Sequence, residues 1–124
     1  MILDDLANLL IANGMTAVYK ATLPDGPDEA ICLYEYGGFA QQKLHDGVAW
    51  RNPSIQALVR SKQYQTARTT IETVYSLLGG LINQQVGASR ILKATPVQEP
   101  FPLGPVDNQG RVRLICNFDI SVTA

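Results

Sequence analysis

One histidine, His45, is followed directly by Asp46, and two cysteines, Cys32 and Cys116, stand elsewhere in the chain. A Cys–His or Ser–His pair makes a nucleophile when the imidazole lies within hydrogen-bond reach of the thiol or hydroxyl. A single imidazole removes every multi-histidine metal site, and two widely spaced cysteines beside it give no zinc signature. The simplest reading is a solvated loop histidine and two small hydrophobes inside apolar runs. Two cysteines make no disulfide framework. Whether their Cα atoms approach within roughly 4.4–6.8 Å, as a disulfide needs, is not fixed by sequence.

The carboxylates come in two pairs, Asp4/Asp5 and Asp28/Glu29. Paired carboxylates do acid–base work when their surroundings push their pKa values apart. Both pairs fall at element ends, where caps and turns account for them without chemistry. Asp25-Gly26 and Asp28 lack the ligand period and terminal Glu of a calcium loop. Neither Gly37-Gly38 nor Gly79-Gly80 is followed by the Lys-Ser/Thr of a phosphate loop. Tyr34, Tyr36, Phe39 and Trp50 could stack bases or sugars, but core packing is the simpler use of the tyrosines. Trp50-Arg51 reads differently, because Trp and Arg are enriched at interface hot spots. The chain therefore offers no catalytic, metal or cofactor-binding set, and its candidates are contact residues.

Length and charge narrow the class. At 124 residues the chain fits one domain, 1–124, with one core. Charged residues make up 17%, a low share that suits a subunit burying surface against partners. A net charge of −1 without a Lys/Arg run argues against groove-reading nucleic-acid binding, which needs a basic stripe. It still allows a protein that lines a path for DNA. The N-terminus lacks the positive n-region of a signal peptide, and no apolar run approaches the roughly 20 residues of a membrane span. A soluble protein of the reducing cytosol is the expectation.

The elements that must position these residues follow from periodicity. Leu3, Leu6 and Leu10 predict a helix over 2–13, with Asp4 and Asp5 in its first turn and Asn13-Gly14 as its stop. Strands are expected over Thr16–Thr22, Ala30–Tyr36, Ser54–Arg60 and Ser89–Thr95. Pro24-Asp25-Gly26-Pro27 is a turn signal. Gly37–Pro53 has no sustained period and reads as a long loop, either folded on the core or used for docking. Tyr64, Ala67, Ile71, Val74, Tyr75 and Leu78 form one apolar stripe, so a helix over Tyr64–Leu78 should cover one face of a sheet. Gly79-Gly80 ends or weakens it, with Leu81-Ile82 able to add a turn. Four of the seven prolines lie in 96–109, an extended loop rather than a sheet interior. From Arg111 to Thr123 apolar and polar residues alternate, which predicts a strand with one buried face. The expectation is an α+β fold: a mostly antiparallel sheet of about five strands, with a short N-terminal helix and one long helix packed on it. Its order is α-β-β-β-α-β-β, and short links favour antiparallel neighbours.

The N-terminal helix, Leu23-Pro24-Asp25-Gly26-Pro27-Asp28-Glu29-Ala30-Ile31 and the strand ending at Glu35-Tyr36-Gly37-Gly38 carry a family resemblance. So do Ile55-Gln56-Ala57-Leu58-Val59-Arg60 and the helix ending near Tyr75-Ser76-Leu77-Leu78-Gly79. Together they resemble the small minor capsid and tail terminator (tail completion) proteins of long-tailed bacteriophages, over roughly residues 2–120. The resemblance implies a virion structural protein, not an enzyme, at the head-proximal end of the tail. It implies a ring, usually of six copies, that caps the tail tube, stops its polymerisation and receives the head connector while genome DNA passes through. Loops 37–53 and 96–109 would then supply the contacts, with Phe39, Trp50, Arg51, Phe101, Leu103 and Val106 as interface candidates. Two other readings stay open: a head-completion or connector adaptor, and a small ligand-binding or enzymatic α+β domain.

Overall fold

The computed structural model describes the backbone of residues 2–43 and 49–123, with side chains over 2–36 and 51–123. The elements are α1 (Ile2–Ala12), β1 (Val18–Lys20), β2 (Ala30–Lys43), β3 (Ala49–Ser61), α2 (Tyr64–Gly79), β4 (Ile82–Val86), β5 (Ser89–Pro96), β6 (Phe101–Pro102) and β7 (Val112–Thr123). They form an α+β fold in which the strands make one sheet ordered β1-β2-β3-β7-β5-β4, with β6 paired to β7. Both helices pack on one face of it.

The predicted stripes are what hold the layers together. From α1, Leu3, Leu6 and Leu10 enter the core, and from α2, Ala67, Ile71, Val74 and Leu78. Met15 donates to Leu10 O and Gly14 to Ile11 O, the paired bonds of a helix closed by a left-handed residue; Gly14 has φ +91°. On the sheet, the alternation in β7 sends Leu114, Cys116, Phe118, Ile120 and Val122 to the helices. Ile55, Ala57 and Val59 of β3 and Ile31 and Leu33 of β2 line up beside them through the register. Phe118 is fully buried, with Tyr75 of α2 tilted against it at 6.2 Å between ring centres.

Several expectations are corrected. The span 37–53 is not an irregular loop: β2 and β3 run through it as one long hairpin, with residues 44–48 outside the described part. Register shifts between Tyr36 and Gly38 and between Phe39 and Gln42 interrupt the side-chain alternation, which removes the period-two signal. Seven strands replace about five. β4 reads Ile-Asn-Gln-Gln-Val and has four exposed residues, so no apolar pattern announces it. Leu81-Ile82 do not extend α2, because Gly80 caps it and the chain turns into β4. β6 lies inside the proline-rich segment, where Pro102 is tolerated at a sheet edge.

β1 also pairs with β2 in parallel, against the antiparallel expectation. The turn-rich segment between them crosses the end of the sheet instead of folding back. Arg60 Nη2 donates to the carbonyls of Pro24 (2.7 Å) and Pro27, and Arg111 Nη1 donates to those of Asp25 (2.7 Å) and Pro27 (3.1 Å). Two guanidinium groups thus stake this segment to β3 and the start of β7.

Candidate interaction surface

Leu33, Ala57 and Cys116 share one row of the sheet, and Cys32, Leu58 and Ile115 share the next. Adjacent rows face opposite ways, so Cys116 faces the helices and Cys32 the far side. Both thiols are free and buried. Burial pushes Cys116 up to about 11, helped by the Glu99 carboxylate, and also raises Cys32. Neither is placed as an activated nucleophile, which needs a lowered pKa. His45 and Asp46 lie outside the described residues.

The carboxylate pairs are spent on structure. Asp5 accepts from Ser89 Oγ and from the Ala88 amide at 3.4 Å, clamping α1 to the β4–β5 turn. Asp4 pairs with Lys20, whose hydrogen bond and charge lower its pKa. Asp28 pairs with Lys62 at 3.4 Å and with Arg111 at 3.9 Å, while Glu29 accepts from Ser61 Oγ at 2.8 Å. Among the described residues no group of three or more His, Cys, Asp or Glu could hold a metal ion, and no helix is long and apolar enough to cross a membrane.

What remains is surface, including the sheet face away from the helices. Along β3 and β7 this face carries a ladder of polar pairs. Gln56 donates to Asn117 at 3.1 Å, Ser54 to Asp119 at 2.8 Å and Ser121 to Asn52 at 3.2 Å. Tyr36 stands beside it, 41% exposed. At the other end of the same face, the 23–27 and 103–111 segments flank a cleft of about 420 Å³. Its floor is Tyr34, Gln56, Leu58, Arg60 and Arg113, and its walls carry Leu23, Asp25, Leu103, Asp107 and Arg111. Burial, with a hydrogen bond to Cys32, pushes the Tyr34 phenol up to about 12 and keeps it a proton donor. Asp107 is held down at about 2, first by the Arg111 amide and also by the Gln109 amide and the Arg111 guanidinium, which lies 2.8 Å away.

The six contact candidates fall into two groups that the structure does not bring together. Phe39, Trp50 and Arg51 belong to the hairpin: Phe39 is opposite Asn52, Trp50 opposite Gln42 and Thr123, and Arg51, exposed, opposite Val122. The side chains of Phe39 and Trp50 lie outside the described ones. Phe101, Leu103 and Val106 lie near the other end of β7, where Phe101 faces Ile115. They are 37%, 36% and 54% exposed, and Val97 adds a further exposed apolar side chain on the same connection. Ile115 and Thr123 are eight residues apart on β7, or about 27 Å at ~3.4 Å per residue. Sequence reasoning missed Arg60, Arg111 and Arg113, whose meaning depends on carbonyls and strands remote in the chain.

Residues 6–124 match the family described as bacteriophage tail terminator protein. This chain belongs to that family. Tail terminators are virion proteins, and the chain is accordingly a virion structural protein. Among solved structures, a chain of the "Virion of native gene transfer agent (GTA) particle" has the same fold, with a TM-score of 0.56 and 19% identity, covering 95% of this chain and 86% of that one. No curated protein matches.

Proposed function

We propose that this terminator works as a closed ring of its own copies, six in number, on the head-proximal end of the tail tube. There it blocks further addition of tube subunits and receives the head connector, while genome DNA passes through the centre without sequence-specific contact. The observation that carries the reading is the family match over residues 6–124, nearly the whole chain. The structural neighbour, a chain of a gene transfer agent virion, agrees with it.

The architecture supports this reading physically. A sheet covered by helices on one face leaves its outer strands, and the end of its other face around Tyr36, open, features a monomer must guard and a cyclic assembly can bury. The exposed apolar group Phe101, Leu103 and Val106, together with the hairpin positions Phe39, Trp50 and Arg51, is assigned to contacts with neighbouring copies, tube and connector. The net charge of −1 suits a channel that must not hold DNA.

The test is a tube-elongation assay. Purified protein added to polymerising tube subunits should stop growth at substoichiometric ratios and remain on one end, seen by electron microscopy. Unchanged growth, with no protein at either end, would refute the reading.

A further inference from the structure

Arg60 and Arg113 are direct cross-strand partners on β3 and β7. Like charges in that relation repel, and strands avoid them without a counter-charge. Here neither forms an ion pair among the described residues. Arg60 is 4% exposed and held by the carbonyls of Pro24 and Pro27, and Arg113 by Pro105 O at 3.3 Å. The Nε of each is buried without a hydrogen-bond partner. Both line the cleft flanked by the 23–27 and 103–111 segments. Asp107, the nearby acid, is taken up by Arg111 and two backbone amides. The cleft thus holds two buried or half-buried guanidinium groups with unspent donors, and the carboxylates that line it, Asp25 and Asp107, form no ion pair with either among the described residues.

We propose that this cleft is a socket for a carboxylate side chain presented by a second copy of this chain, an inference that rests on the ring reading. Arg111 is taken up by Asp107 and Asp28, which leaves Arg60 and Arg113 against Asp25 alone, an excess of one positive charge that suits a monoanion better than a phosphate dianion. Leu23, Leu58 and Leu103 would line the methylene stem of an acidic side chain, and Tyr34 and Gln56 add neutral donors. The apolar rim made by Phe101, Leu103 and Val106 is what a protein interface places around a charged anchor. The chain carries its own donors of carboxylate, since Glu35 and Glu99 are exposed and form no ion pair among the described residues.

The experiment uses the full chain and Arg113, because Arg60 also anchors the 24–27 segment. Sedimentation velocity of wild type should show salt-sensitive self-association, weakened at least about tenfold in Arg113→Glu with an unchanged circular dichroism spectrum. In Arg113→Lys, a zero-length amide-forming crosslinker should join the introduced amine to an Asp or Glu of another copy. Mixed isotope-labelled and unlabelled chains identify such links by mass spectrometry. A monomeric wild type, undiminished association of Arg113→Glu, or links only within one chain would each overturn the proposal. So would binding of a fluorescent DNA duplex that Arg113→Glu abolishes, which would reassign the socket to phosphate. A monomeric wild type would count against the ring as well, whereas undiminished association of Arg113→Glu or links only within one chain would overturn the socket alone and leave the arrest of tube growth standing.

Discussion

Gly87, in the two-residue turn between β4 and β5, offers the sharpest test of how the helix layer is fastened to the sheet. It has φ +58°, and a Cβ there would lie 2.9 Å from Asp5 Cγ and closer still to Oδ1. Gly87→Ala should incur two costs. The left-handed backbone costs roughly 1–2 kcal/mol for a residue with a Cβ. Displacing Asp5 weakens its bonds from Ser89 Oγ and the Ala88 amide, and hydrogen bonds to a charged group are worth about 1.5–3 kcal/mol. The sum is about 2.5–5 kcal/mol, a large share of the stability of a small domain. In an Asp5→Ala background the clash disappears, and Gly87→Ala should cost only the backbone share. Urea unfolding of the four proteins in the cycle measures this, with an expected coupling of about 2 kcal/mol. Additivity within about 0.5 kcal/mol would show that the carboxylate does not clamp the turn.

Phe118→Ala should cost about 3–5 kcal/mol, read from the urea midpoint, because it empties the fully buried centre of β7 and strips Tyr75 of its ring contact. Asp107, held at about 2, contributes stability that is fully present above the ordinary carboxylate pKa of 3.8 and is lost as pH falls through about 2. Hydrogen exchange at the Gln109 and Arg111 amides should therefore quicken only in strong acid. Cys116 and Tyr34, raised to about 11 and about 12, make the opposite contribution. It is complete below their ordinary values of 9.0 and 10.0 and is lost as pH rises through the raised ones. A thiol reagent should accordingly leave both cysteines untouched in the native protein at neutral pH and modify them on unfolding, whereas rapid native-state labelling would contradict their burial.

How far the fold was legible depended on whether a strand's signal was local. The alternation in β7 and the stripe of α2 sit in consecutive residues, and both elements appear where expected. The distal half of the β2–β3 hairpin failed because Gly37-Gly38 and two register shifts break the period that marks a strand. β4 failed because an edge strand with exposed Asn and Gln carries no apolar pattern. The parallel pairing of β1 is decided by Arg60 and Arg111 reaching carbonyls some 33 to 86 positions away, which no local window contains. The exposed apolar side chains proposed for contacts were legible for the same reason. Phe101, Leu103 and Val106 are apolar residues among prolines and stand out in sequence. The cationic cleft exists only once β3 and β7 place Arg60 against Arg113.

The proposal stands or falls on whether this protein ends the tail by capping its tube. Electron microscopy of particles assembled with and without it tests that most directly. Overlong tails of widely scattered length, detached from heads, are expected when the protein is absent. Tails of normal, uniform length in its absence would contradict the proposal.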